Sequence, residues 1–365
     1  MSSIRSAATA AVTLVLLQMA AGAGTLPPDV ERFLAQSKFT TAETAALEQG
    51  TVIARVAPGG DDTEVVTTAA VKIHATRPQV AAYYGEMITY VDGQVTQAFG
   101  RFGNPAAAAD VRALALDAAD VTQLKSCRPG DCDLKIGGAG LGRIRAEVDW
   151  NAPDAAGQVN ARVRAVMVDY VNAYLKSGDD ALVTYNDRAE PVSLKQQWQG
   201  ILAGSSNLKE YSPALVDYLA QYPRQKLPGA RDVLYWVKED YTGLKPVISV
   251  VHGVIYVAPE HPDRTIVVQK QLYASRYYNG SLAVAAIVSV TDGPPPVTYL
   301  LYGNRSRGDL LNGGFGGIKR KVARDQAKKS AEQTLGTIKS MLERATPGAR
   351  PPEGTVSAPP QSAAR

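Results

Sequence analysis

Reactive and metal-binding residue types are scarce in this chain. Two cysteines, Cys127 and Cys132, and three histidines, His74, His252 and His261, are all that its 365 residues hold. No two histidines stand at ligand spacing, so a zinc or iron site would need carboxylates from distant segments. Zinc-finger spacings, Walker loops and RNA-stacking motifs are missing. Gly280-Ser281 lacks the flanking glycines of a hydrolase nucleophile elbow. Charge of one sign is not in excess either. A formal net charge of +4 is too small for a polyanion binder, which usually shows a strong basic surplus on one face. Beyond residue 23 no apolar run approaches the length of a membrane span.

What is present is ordinary globular material, 45% apolar and 20% charged, in a chain long enough to bury a full core. Residues 1–23 of MSSIRSAATAAVTLVLLQMAAGAG read as an export signal. Arg5 supplies the positive end, Ala7 to Met19 the apolar stretch, and Ala21-Gly22-Ala23 the small-residue cleavage site. An uncleaved anchor is the alternative. The expectation is an exported protein, periplasmic or secreted. That compartment favours a disulfide between Cys127 and Cys132, closed over the turn residues Arg128-Pro129-Gly130-Asp131. A redox pair would have two intervening residues, and a metal site more ligands.

In chain order, residues 24–50 form an N-terminal helical segment, helical over Pro28 to Gln49, with Thr41 as a cap and Gly50 as its stop. Thr51 to Ala57 and Glu64 to Ala75 read as strands. In the second, Val65, Thr67, Ala69, Val71 and Ile73 share a covered face, while Glu64, Thr68, Lys72 and His74 mark a mostly wet one. A helix follows Thr76-Arg77-Pro78, ends at Asp92-Gly93, and leads to a strand over Val95 to Phe102. From about 106 to 222 the pattern is helical, beginning with AAAADVRALAL and longest over Asp154 to Lys176. Strands resume at Arg231 with VLYWVKEDY and PVISVVHGVIYV, the latter apolar on both faces, and three more follow. A glycine-rich hinge, Asp309 to Gly317, opens the last helix. Its apolar stripe runs through Ile318, Val322, Ala327, Ala331, Leu335, Ile338 and Leu342, with Lys and Arg over much of the rest. Residues 346–365 read as a disordered tail.

This order, and the strings TTAAVKIHATRPQVAAYY, KQLYASRYYNGSLAVAAIV, YLLYGNRSRG and GGFGGIKRKVA, resemble the START-like or helix-grip superfamily, which includes polyketide cyclases and lipid-transfer proteins. CRPGDCDLKI, LPGARDVLYWVKE and LKPVISVVH resemble segments of an uncharacterised group of exported bacterial proteins. The resemblance implies an α+β fold: a curved antiparallel sheet grips a long C-terminal helix, and an apolar or amphiphilic guest lies between them. Residues 51–345 would be that single domain, interrupted by a helical insertion at about 106–222 that is larger than the fold requires.

Candidate ligand contacts are few. His252 sits mid-strand, where it is a buried histidine bonded to a neighbour, a contact for a polar headgroup, or a general base. Arg276, Arg305 and Arg307 stand at strand ends among Tyr277, Tyr278 and Tyr302. Arginine forks bind carboxylate or phosphate at two points, or pair with acids such as Glu239 or Asp309. Tyr235, Trp236 and Tyr273 complete the set, being apolar in body and polar at the tip. The reading is a non-catalytic, lipid-like binder without a cofactor. The basic final helix offers peripheral contact with an anionic membrane. A cyclase- or hydrolase-type enzyme on the same scaffold and an envelope interaction module are the alternatives.

Overall fold

The computed structural model describes residues 26–87, 96–240, 243–291, 295–309 and 316–344. The export signal, the Asp92-Gly93 break, most of the glycine hinge and the tail lie outside them. Two short helices come first, α1 (Pro28–Gln36) and α2 (Thr41–Glu48). The cap of α2 is Thr40 rather than Thr41. Its side chain accepts from the Glu43 N–H while the Glu43 carboxylate accepts from the Thr40 N–H, a reciprocal capping box. β1 (Ile53–Pro58) and β2 (Glu64–Ile73) form a hairpin, followed by α3 (Arg77–Met87) and β3 (Thr96–Arg101).

The insertion holds α4 (Ala118–Ser126), α5 (Gly138–Glu147), α6 (Ala155–Ser177), the two-residue strands β4 (Thr184–Tyr185) and β5 (Val192–Ser193), α7 (Leu194–Gly204), α8 (Ser206–Tyr211) and α9 (Pro213–Gln221). AAAADVRALAL, expected as a helix, contains only a single 3-10 turn, Ala108–Val111. The Asp110 carboxylate accepts from the Gly103 and Ala107 N–H groups and so holds that stretch as a turn. Cys127 and Cys132 form a disulfide. Five long strands complete the β structure among the described residues: β6 (Ala230–Glu239), β7 (Val247–Tyr256), β8 (Arg264–Ala274), β9 (Tyr278–Thr291) and β10 (Val297–Gly308), before α10 (Gly316–Arg344).

The fold class is α+β. Eight strands make one antiparallel sheet in the order β1-β2-β10-β9-β8-β7-β6-β3. Successive side chains along a strand point to opposite faces, so the register sorts the core into two halves. The front face presents Ala69, Val71, Ile73, Val251, Val267, Ala285, Ile287 and Leu300 to Val80 and Tyr84 of α3 and to Ala331, Leu335 and Ile338 of α10. The reverse face presents Trp236, Val250, Val254, Ile266 and Leu282 to Tyr174, Trp198, Ile201 and Leu219 of the insertion. Nearer the β1 edge it presents Ala70, Val288, Tyr299 and Leu301 to Val30, Leu34 and Leu47 of the α1–α2 hairpin.

Both faces of β2 are therefore covered at intervals, where one wet face was expected. Ala70 meets the N-terminal hairpin, and Glu64 is buried by arginines of β10. The expected stripe of α10 also shortens. Ala331, Leu335 and Ile338 are buried, but Val322 is 63% exposed. The helix packs chiefly on β1 and β2. Its buried residues lie in its C-terminal half, and the side chain of Ile318, the first of the expected stripe, lies outside those described.

Candidate functional site

A void of substantial size opens on the reverse face, at its β1-side end. Strand alternation builds its floor: Val66 and Thr68 of β2, Leu301, Gly303 and Arg305 of β10, and Leu282, Val284 and Ala286 of β9. The register aligns Thr68, Gly303 and Val284 across three strands. At Gly303 a Cβ would meet nothing within 4 Å, so the middle of the floor is bare backbone facing open space. A glycine inside a strand gives up packing and marks a place where something else approaches the backbone. Phe33 and Gln36 of α1 line it, and Leu208 and Tyr211 of α8, which contacts α1 through Gln36–Glu210 and Tyr211–Asp29, line it beside them. Around the β1 edge the lining continues with Val56 and with Lys321, Arg324 and Lys328 of α10. The volume is about 900 Å³.

Two walls of this cavity are fixed by specific contacts. The Tyr211 hydroxyl donates to Asp29 Oδ2 at 3.0 Å, and the Arg264 guanidinium lies 4.5 Å from the centre of the Tyr211 ring while bonding the same carboxylate. Beyond Tyr211 lies a second void of about 370 Å³ that shares Arg32, Tyr211 and Ile266 with the first. On the other side, Arg305 Nε bonds Glu64 Oε1 at 2.8 Å, and Glu64 also accepts from the Gly60 N–H at 2.7 Å. Gly204 makes room for that arginine. A Cβ there would stand 2.5 Å from a terminal guanidinium nitrogen.

Of the eight ligand contacts expected from sequence, Arg305 alone lines this cavity. Tyr235 and Trp236 are consecutive in β6 and so point to opposite faces, where no single guest can touch both. Tyr235 packs beside Phe99 on the front, and Trp236 donates its indole N–H to Asp110 O at 2.9 Å on the reverse. Tyr273 is enclosed by Tyr170 and Tyr185. Arg276 does bind a carboxylate at two points, but the carboxylate is Asp120 of α4 and the pair is buried. Tyr277 takes φ +64° and accepts a bond from the Lys245 N–H at 2.9 Å. Tyr302 packs among the front-face residues. Arg307 reaches Gln197, with Glu64 and Asp61 each 3.7 Å away.

His252 is fully enclosed. Its Nδ1 lies 2.9 Å from the Tyr174 hydroxyl, its Nε2 lies 2.9 Å from Asp232 Oδ1, and its ring sits 4.4 Å from that of Tyr222. Burial depresses the imidazole below its ordinary value despite the neighbouring carboxylate, so the ring is neutral near pH 7. Burial also pushes the Tyr174 hydroxyl well up, keeping it a donor. Nδ1 then accepts from Tyr174, and Nε2–H donates to Asp232. Burial raises the Asp232 carboxyl, but the bonds from His252 and Tyr218 outweigh it and hold it below its usual range. Opposite His252 on β8, the buried Lys270 pairs with Asp179 and donates to Leu219 O at 3.2 Å. This cluster ties insertion to sheet, with the imidazole itself fully buried.

The cavity residues missed in the sequence come from the strands of the floor, the N-terminal hairpin, α8 and α10. Gly303, within YLLYGNRSRG, carried a readable signal as a glycine interrupting an apolar strand. Among the described residues, no cluster of three or more His, Cys, Asp or Glu side chains is placed to hold a metal. The large apolar side chains exposed among them are Leu244, Val290, Val322 and Met341, none of which belongs to the insertion. Comparison of the chain with family models, with curated proteins and with solved structures finds no match in any of the three.

Proposed function

We propose that the protein is exported and binds an apolar or amphiphilic small molecule, without catalysing a reaction on it, in the cavity between the reverse face of the sheet, α1 and α8. One observation carries this reading: a void of about 900 Å³ with an apolar floor left bare at Gly303 and a rim of basic side chains. Ligand sites are concave and mostly apolar, span roughly 300–1,000 Å³, and hold a small number of placed polar groups. Burial of hydrocarbon supplies affinity at about 25 cal/mol per Å² removed from water, before the costs of association.

The site differs from the one that the START-like resemblance implies. There the guest lies between sheet and C-terminal helix; here the C-terminal half of α10 is seated directly on β1 and β2, and the helix adds only a basic wall to a void centred on the other face. Export is supported by the composition of residues 1–23 and agrees with the disulfide. Titration of delipidated protein with a fluorescent fatty acid tests the binding. Saturable binding at one site, displaced by unlabelled chain, is expected; a signal that rises linearly without saturation would reject it.

A further inference from the structure

The cavity rim carries more positive charge than the protein itself matches. Eight of its lining side chains are Arg or Lys, against the two acids Glu43 and Asp325. Five of the eight have carboxylate partners, among them Arg55 on Glu43 and Arg305 on Glu64. Lys38, Lys321 and Arg324 have none within 4.0 Å among the described residues.

Lys38 is notable for its backbone. The Phe39 N–H bonds Leu34 O and the Lys38 N–H bonds Ala35 O, which makes the end of α1 a Schellman motif with Lys38 in the left-handed position at φ +58°. Glycine suits that position best, since it pays no Cβ penalty there. The sequence instead spends it on a cation beside the void. Residues in unfavoured backbone conformations cluster at ligand sites.

Resting on the reading of this cavity as a binding site, we propose that the guest carries an anionic head, a carboxylate or phosphate group, bound by Lys38, Lys321 and Arg324. Its hydrocarbon part lies over Gly303, Val284 and Ala286. The planar fork of Arg324 suits two oxygens of one such group, and the lysines act as point charges. A neutral head would gain nothing from the three cations, and a cationic one would be repelled.

The test is calorimetric titration of the purified protein with four oleoyl compounds that differ only in the head: oleate, oleoyl lysophosphatidic acid, monooleoylglycerol and oleylamine. The anionic pair is expected to bind at least about tenfold more tightly than the monoacylglycerol, about 1.4 kcal/mol. That advantage should shrink at high salt. The triple substitution Lys38→Gln, Lys321→Gln, Arg324→Gln should bind monooleoylglycerol as the parent does while losing the anionic preference. The retained neutral binding shows that the variant is folded. Acetate and inorganic phosphate, lacking a chain, should not bind measurably; saturation by either alone would overturn the amphiphile. Equal affinity for anionic and neutral heads, or a preference that survives the triple substitution, overturns the anionic head and leaves the binding reading intact. Failure of all four chains overturns both.

Discussion

At the scale of single residues, the cavity depends on what certain positions omit. Gly303 leaves the floor open, and Gly204 lets Arg305 lie back against α7 instead of across the void. Gly303→Leu should fill the floor and weaken binding of a fatty acid by about tenfold or more, at about 0.8 kcal/mol per CH₂ denied its contact. Its melting temperature should match or exceed the parent's. Calorimetry on both proteins checks this, and undiminished affinity would place the guest elsewhere. His252 makes a separate prediction about stability. An unfolded imidazole titrates near 6.5, whereas the native ring resists protonation, so below about pH 6.5 the unfolded state binds the extra proton and stability falls as pH falls. Urea unfolding between pH 7 and pH 5 should show that decline, with a flatter profile for His252→Gln. The variant should also lose about 1–3 kcal/mol at pH 7, because Tyr174 and Asp232 lose a buried partner. Residue chemistry was partly legible in the sequence. That His252 is a bonded, buried histidine was one of three options for a residue amid apolar strand text. Its partners, Tyr174 and Asp232, come from an element of the insertion and a neighbouring strand, which no local pattern connects.

At the scale of elements, period and punctuation located most of the helices and strands. The strongly alternating or wholly apolar strands β6 to β10, the long α6, and the capped N-terminal pair all stand close to where the residues place them. The failures have physical causes. AAAADVRALAL has helical composition, but Asp110 bonds backbone N–H groups ahead of it and arrests it as a turn. The stripe of α10 is continuous in sequence, yet Val322 is exposed while Ala331, Leu335 and Ile338 are buried against the sheet. Leu335→Ala should therefore cost about 2–5 kcal/mol, the range for truncating a buried leucine. Val322→Ala should stay within about 0.5 kcal/mol. Chemical denaturation distinguishes the two, and equal effects would mean that α10 is seated along its whole length.

At the scale of the whole molecule, the insertion is not an appendage. Its Trp198 and Tyr174 share one apolar cluster with Trp236, Val250 and Leu282 of the sheet, and buried pairs such as Arg276–Asp120 and Lys270–Asp179 cross between the two. Sheet and insertion should therefore unfold in one transition, with tryptophan fluorescence and far-ultraviolet circular dichroism coinciding in urea. Two separated transitions would show that the insertion has an independent core. The eight-stranded sheet and its closing helix follow from the order of elements, whereas the site does not. A cavity assembled by α1, α8, five strands and the first half of α10 exists only after the register has brought segments hundreds of residues apart together. Arg305 was legible because an arginine at a strand end is conspicuous. Lys38 and Gly303 acquire their meaning from what lies beside them in space.

Native mass spectrometry after incubation with oleate tests the central claim most directly. The account predicts a single bound chain on the parent protein and its loss in Gly303→Leu. An unliganded parent, or an adduct equally abundant in both proteins, would contradict it.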